Sequence, residues 1–219
     1  AAKWWRVRHA AVQSKRLVNV RAQDEVWLVS ARNENCSPLG CQRLVDGQWS
    51  SSTIDSLTAA KILAPDTPTI VYVHGDRTDE QYARSRGLQF YENIFNRDQC
   101  GGTGPIRFVI FAWRAEREIV RPSFDYRVKL VRSVKLGHTF RSFLNRFDDR
   151  RMLLIGFSLG GQVILSGISA TAAPDPHGSC NHPQSGRYRL ALITPSLAPK
   201  EASTCITPLP NLRSAKETC

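Results

Sequence analysis

The chain has 219 residues, of which 42% are hydrophobic and 22% are charged. These are the proportions of a globular protein, and they exclude a disordered or collagen-like chain. No apolar run approaches the roughly 18 residues that a membrane-spanning helix needs, so we expect no transmembrane segment. The formal net charge of +11 raises the question of a nucleic-acid partner.

The positive charge carries no nucleic-acid signature. Lysines and arginines are spread along the chain, without a helix-turn-helix, zinc-finger or aromatic RNA-binding motif. We therefore expect no nucleic-acid partner, although the same charge would attract anionic substrates or surfaces. The start of the chain has neither an initiator methionine nor a signal-peptide pattern, which indicates a cytoplasmic protein with a processed or incomplete start.

Six cysteines lack any C-x-x-C spacing. Free thiols are therefore expected, with a loop disulfide between Cys36 and Cys41 as the alternative. A zinc site would need a second pair of ligands at matching spacing, which is not present.

Residues 1–25 form a basic segment without an assignable structure. Residues 26–30 are predicted to form a strand, and residues 41–45 and 48–50 a hairpin around Asp46-Gly47, since this dipeptide suits tight hairpin turns. These strands would form one edge of a sheet. Residues 55–63 are predicted to form a short helix.

A β-branched strand is predicted at residues 69–73, and it ends in His74-Gly75-Asp76. Residues 78–81 fit a capping box, in which Thr78 caps the next helix. Four apolar residues of that helix are expected to face the sheet: Tyr82, Leu88, Tyr91 and Phe95.

The next predicted elements are a buried strand at residues 106–113 and a long helix at residues 123–147. The helix has apolar residues spaced mainly by three or four: Phe124, Val128, Val131, Leu136, Phe140, Phe143, Leu144 and Phe147. Its basic residues are expected to form the solvated face: Arg127, Arg132, Lys135 and Arg141.

Residues 152–155 are predicted to form a buried strand, followed by a sharp turn at Ser158 and a helix to about residue 170. Gly156 and Gly160 flank the serine in a Gly-x-Ser-x-Gly pattern, which lets the chain turn sharply and exposes the serine hydroxyl. The amide of Leu159, at the start of the helix, would point toward a developing oxyanion. This pattern is typical of a nucleophile elbow.

A further strand is predicted at residues 188–193, after an irregular insertion at residues 173–186. The order of elements predicts an α/β fold: a mostly parallel central sheet with helices on both faces, and a site at the carboxyl ends of the strands.

Three stretches resemble poorly characterised bacterial α/β-hydrolase-like proteins: residues 71–75, residues 108–113, and the elbow at residues 154–160. The resemblance covers residues 26–197, and implies an α/β-hydrolase fold and a serine hydrolase of carboxylic esters or related acyl compounds, without cofactor or metal. It assigns Ser158 as the nucleophile, the amides of Leu159 and Asp76 as the oxyanion hole, and Gly75 as the glycine of the second oxyanion loop. The sequence departs from the family where Arg114-Ala115, instead of Pro-Ser, follows Trp113.

The polar tail at residues 198–219 contains no histidine and no strand-like pattern. In this family the catalytic acid and histidine follow later strands, at about 30 residues per βα repeat. We therefore interpret the chain as an α/β-hydrolase fold that is incomplete at its C-terminus, through truncation or a frameshift. An open sheet edge would then favour self-association, although the sequence leaves the oligomeric state open.

The catalytic base is the open question in this chain. His177 or His182, with Asp175 as the acid, would complete a rearranged triad, because a triad is defined by its geometry. A metal site formed by these three residues and Cys180, or a plain surface loop, are the alternatives. His74 is expected to brace the oxyanion loop.

The leading prediction is therefore a serine hydrolase that forms an acyl-enzyme on Ser158. The alternative is a non-catalytic or truncated α/β-hydrolase-like protein that serves as a binding or interaction module.

Overall fold

A computed structural model describes residues 19–32, 39–59, 67–95, 104–147, 152–169 and 188–193. Most of the basic N-terminal segment, the insertion at residues 173–186 and the polar tail lie outside the described residues. Asp175, His177, Cys180 and His182 therefore have no structural outcome. Among the described residues, no helix is long and apolar enough to cross a membrane.

A seven-stranded sheet forms the centre of the fold, with strand order β3-β2-β1-β5-β4-β6-β7. The strands are β1 (Glu25–Ala31), β2 (Gly40–Val45), β3 (Gln48–Ser52), β4 (Thr69–Val73), β5 (Arg107–Trp113), β6 (Met152–Phe157) and β7 (Tyr188–Ile193). Strand β5 pairs in parallel with β1 and β4, and β6 pairs in parallel with β4 and β7. The predicted α/β class with a mostly parallel sheet is confirmed.

The hairpin of β2 and β3 forms the antiparallel edge of the sheet. Its turn has Asp46 at φ 49° and Gly47 at φ 75°, the positive angles that a two-residue hairpin turn requires. The predicted Asp-Gly hairpin is therefore confirmed.

Four helices are described: α1 (Ile54–Ala59), α2 (Glu80–Phe95), α3 (Pro122–Leu144) and α4 (Leu159–Ser169). Buried residues of α1, α3 and α4 pack on one face of the sheet, and those of α2 pack on the other. All residues of β4 and β5 are buried, which explains why each strand is apolar after its first residue, because a strand covered on both faces needs no polar side.

The cap of α2 differs from the predicted one. The carboxylate Oδ1 of Asp79 accepts a hydrogen bond from the Tyr82 amide at 2.7 Å, whereas the Thr78 hydroxyl donates to the carbonyl of Asp76. The prediction that Thr78 caps the helix is wrong, because Asp79 supplies the cap and the helix begins at Glu80. Leu88 and Tyr91 are buried as expected.

The buried face of α3 also differs from the prediction. Phe124 and Val131 are 56% and 55% exposed, whereas the residues that the helix buries before Phe140 are Asp125, Lys129, Ser133 and Gly137. Close packing against α4 selects small residues here, since a Cβ at Gly137 would lie 2.6 Å from Cβ of Ser166. Arg132 does not lie on a purely solvated face, because it forms two hydrogen bonds with Glu118.

Cys41 is a buried free thiol, so it does not form the alternative disulfide with Cys36. Burial raises the pKa of the Cys41 thiol to about 11.

Strand β7 lies at the end of the strand order and exposes part of Leu190 and Ile193. Self-association through this edge remains a prediction.

Candidate active site

Ser158 occupies the sharp turn between β6 and α4. Its φ is 53°, a left-handed conformation that non-glycine residues rarely adopt and that costs about 1–3 kcal/mol. The turn is fixed on both sides, because the Ser158 amide donates to the carbonyl of Ile193 at 2.9 Å and the Gly161 amide donates to the carbonyl of Ser158 at 2.9 Å. The predicted strand, turn and helix around Ser158 are confirmed.

The two predicted elbow glycines fill positions with no room for a side chain. A Cβ at Gly160 would lie 2.1 Å from the carbonyl oxygen of Val73, and a Cβ at Gly156 would lie 2.6 Å from Cα of Gly161. The start of α4 therefore lies directly against the end of β4. This approach brings the loop after β4 to the nucleophile turn.

The loop after β4 lies in contact with Ser158. A Cβ at Gly75 would lie 3.0 Å from Cβ of Ser158 and 2.8 Å from the carbonyl oxygen of Phe157. Asp76 follows directly, and Leu159 occupies the first position of α4, where amides have no acceptor within the helix. The structure thus brings Ser158, Leu159 and the Gly75-Asp76 segment together at the carboxyl ends of the parallel strands.

His74 lies beneath this loop and is 1% exposed. Its Nδ1 donates to the carbonyl of Gly75 at 3.0 Å, and its Nε2 accepts from the Trp113 amide at 3.1 Å. Burial lowers the pKa of His74 to about 4, so the ring is neutral at neutral pH. Because both ring nitrogens are engaged, His74 braces the loop, as expected, and cannot act as a general base for Ser158.

A buried group of charges lies beside the same loop. Lys129 of α3 is 1% exposed at its side chain, and its Nζ lies 2.7 Å from Oδ1 of Asp76 and 2.6 Å from Oδ2 of Asp125. Oδ1 of Asp125 accepts from the amides of Glu118 and Ile119, each at 3.0 Å. These carboxylates thus connect α3 to the loops after β4 and β5.

The pKa of Asp125 reflects these contacts. Burial alone would raise it, but the hydrogen bonds from Lys129 and from the amides of Glu118 and Ile119 outweigh burial and lower the pKa to about 2. Asp125 is therefore a carboxylate throughout the neutral and mildly acidic range.

The loop after Trp113, where the sequence departs from the resembled family, is held by ion pairs. Arg114 and Arg132 both contact Glu118, at 2.7 Å and 3.0 Å. The Thr78 amide also donates to the carbonyl of Ala115 at 3.2 Å. The Arg114-Ala115 sequence thus forms an ordered loop that contacts the segment after Asp76.

The predicted base and acid cannot be placed, since Asp175, His177 and His182 lie outside the described residues. His138 is exposed on α3, next to Gly137, which packs against Ser166 near the far end of α4. In the described part of the chain, no cluster of three or more His, Cys, Asp or Glu residues has metal-site geometry.

Sequence reasoning missed the roles of Lys129 and Asp125. The signal was available, because Asp125 and Lys129 are four residues apart on a predicted helix, where an acid followed by a base forms an ion pair. Helical periodicity places charged residues on the solvated face, and the third member of this group, Asp76, lies 53 residues away from Lys129 in the chain.

Comparison of the chain with models of protein families, with curated proteins and with solved structures finds no match. The geometry of the Ser158 turn and its surrounding loops is therefore the basis for assigning a function.

Proposed function

We propose that the chain is a serine hydrolase of the α/β-hydrolase fold that cleaves carboxylic esters or related acyl compounds. The observation that carries the proposal is the position of Ser158, at φ 53° in the turn between β6 and α4, with Gly75 packed against it. Maintaining a serine in this strained conformation is costly, and such strain is concentrated at functional sites.

In the proposed reaction, Oγ of Ser158 attacks the ester carbonyl carbon while its proton passes to a general base. The amides of Leu159 and Asp76 would stabilise the oxyanion of the tetrahedral intermediate. The C–O bond to the alcohol then breaks, the alcohol leaves with the proton from the base, and water hydrolyses the acyl-enzyme. His177 or His182 is the proposed base and Asp175 the proposed acid.

The second candidate function is a non-catalytic binding or interaction module with the same fold. One observation favours it: neither described histidine is placed to act as a base for Ser158. His74 has both ring nitrogens engaged. His138 is on α3, next to Gly137, which packs against Ser166 toward the far end of α4. A serine without a general base is a weak nucleophile. The two functions therefore differ in one measurable property, the reactivity of Ser158.

Labelling of the folded chain with a fluorophosphonate probe, together with hydrolysis of p-nitrophenyl acetate, tests the proposal. Ser158→Ala is expected to abolish both signals, while Ser142→Ala, an exposed serine on α3, serves as the control and is expected to retain them. If labelling depends on Ser158, His177→Asn and His182→Asn identify the base. A folded wild-type chain that is neither labelled nor active would support the non-catalytic function instead.

A further inference from the structure

We propose that Lys129 is a positioning residue that fixes the Asp76 amide in the orientation needed to bind an oxyanion. The catalytic part of this inference rests on the proposed function, whereas fixation of the loop can be tested without it. The loop itself consists of Gly75, Asp76 and Arg77, and it is called the β4 loop below.

The β4 loop has an unusual conformation that needs an external constraint. Arg77 has φ 57°, so the residue after Asp76 is in the left-handed region, which persists only where its surroundings enforce it. Oδ1 of Asp76 accepts a hydrogen bond from the Arg77 amide at 2.7 Å and contacts Nζ of Lys129 at 2.7 Å. One carboxylate oxygen therefore holds the backbone of the loop and ties it to α3.

Lys129 is itself rigidly held. It lies on the buried face of α3, and its second carboxylate partner, Asp125, also receives two amide hydrogen bonds from the segment that precedes the helix. The ion pair thus connects the β4 loop to a helix that is packed on the sheet, and not to another loop. A movement of Asp76 would break a charge-assisted hydrogen bond inside the protein.

The cost of burying charges indicates that this group fixes the geometry of the β4 loop and does not increase overall stability. Removing three charges from water is energetically unfavourable, and apolar replacements of similar volume are often neutral or stabilising. A catalytic amide, by contrast, must be held within a fraction of an ångström, because a displacement of about 1 Å can lower a rate about 100-fold. A directional constraint on Asp76 meets that requirement.

The experiment compares Lys129→Met with Arg107→Met. Arg107 is a matched control, because it is 1% exposed and pairs with buried Glu25 at 3.1 Å, but it lies at the amino end of β5, away from Ser158. Amide hydrogen exchange of the peptide covering residues 74–79 is measured by mass spectrometry in both variants. We expect exchange in this peptide to rise about tenfold in Lys129→Met and to stay at the wild-type rate in Arg107→Met.

Asp76→Asn provides a second variant, should Lys129→Met fail to fold. Asp76 is partly exposed, and asparagine keeps both the backbone amide and an acceptor for the Arg77 amide while weakening the contact to Lys129. Faster exchange of the β4 loop is expected here too. Unchanged exchange in both variants, or an equal rise in Arg107→Met, would overturn the proposal.

The catalytic consequence is measured by the second-order rate of fluorophosphonate labelling. Lys129→Met is expected to lower this rate by roughly 10-fold to 100-fold, and Arg107→Met to leave it within about twofold of the wild type. A labelling rate unaffected by Lys129→Met, despite faster exchange, would overturn the catalytic role. A wild-type chain with an unreactive Ser158 would refute the proposed function, and the exchange comparison would still decide whether Lys129 fixes the loop.

Discussion

Trp113 binds His74 at two points: its backbone amide donates to Nε2 of the histidine at 3.1 Å, and its indole Nε1 donates to the histidine carbonyl at 2.8 Å. The two rings are also stacked, with centroids 5.8 Å apart. This arrangement joins the ends of β4 and β5 beneath the β4 loop. It requires a neutral imidazole, because Nε2 must accept a hydrogen bond.

The requirement for a neutral His74 predicts a pH dependence of stability. Burial lowers its pKa to about 4, whereas an unfolded histidine has a pKa of about 6.5. The unfolded state therefore binds the additional proton between these values, and stability is full above pH 6.5 and falls as the pH drops toward 4. A shift of this size corresponds to roughly 3 kcal/mol.

We expect His74→Asn to be less stable than the wild type at pH 7, and the difference to shrink by roughly 3 kcal/mol between pH 7 and pH 4. Urea unfolding of both proteins at several pH values measures this difference. His138→Asn, at an exposed histidine of α3, is the control. A pH-independent difference between wild type and His74→Asn would contradict the assignment of a neutral buried ring.

The strained backbone conformation of Ser158 predicts a stability cost at this position. Ser158→Gly and Ser158→Ala both remove the hydroxyl, but only glycine adopts φ 53° without a steric cost. We expect the glycine variant to be more stable than the alanine variant by about 1 kcal/mol in urea unfolding. The same pair of substitutions at Ser85, within α2, should show the opposite order, because glycine is unfavourable inside a helix.

Much of the sheet could be predicted from local sequence. The apolar run of β4, the Asp-Gly turn and the Gly-x-Ser-x-Gly turn each indicate a structure through residues that are close in the chain. The strand order could not be predicted in the same way, because parallel pairings such as β1 with β5 join distant segments. The cap of α2 was misassigned since Thr78 and Asp79 are both good capping residues and only the backbone geometry distinguishes them.

The candidate site was predicted only in part, and there is a physical reason why some of its residues could be predicted and others could not. Ser158 and its flanking glycines belong to one local turn, so the Gly-x-Ser-x-Gly pattern alone predicted that turn. Lys129 acts through Asp76, and neither the burial of Lys129 nor its contact with Asp76 follows from helical periodicity, which places charged residues on the outside. The general base stays a prediction, because its candidates lie outside the described residues.

Because the start of α4 lies directly against the end of β4, we expect a single added methyl group to lower the free energy of unfolding strongly. In Gly160→Ala the new Cβ would lie 2.1 Å from the carbonyl oxygen of Val73, and neither backbone segment can move without displacing the Ser158 turn. We expect a loss of about 3 kcal/mol in the free energy of unfolding. Gly104→Ala, where no atom lies within 4 Å of the new Cβ, is the control and should change stability by less than about 0.5 kcal/mol.

The charge of Asp125 predicts a loss of stability in acid. Its pKa is lowered from 3.8 to about 2, since the hydrogen bonds from Lys129 and two backbone amides outweigh the effect of burial. The carboxylate contributes stability that is fully present above pH 4 and is lost as the pH falls through 2. Asp125→Asn leaves Lys129 with one carboxylate partner and should cost about 3 kcal/mol at pH 6.

The difference between wild type and Asp125→Asn is expected to shrink by roughly 2 kcal/mol between pH 6 and pH 2, because the wild-type carboxylate becomes protonated in that interval. Groups that are distant from Asp125 and Lys129 contribute equally in both proteins and cancel in the difference. Thermal unfolding at pH 6, 4, 3 and 2 measures it, with Asp55→Asn, at an exposed ion pair with Arg146, as the control. A constant difference across this range would show that the hydrogen bonds to Asp125 do not depend on its charge.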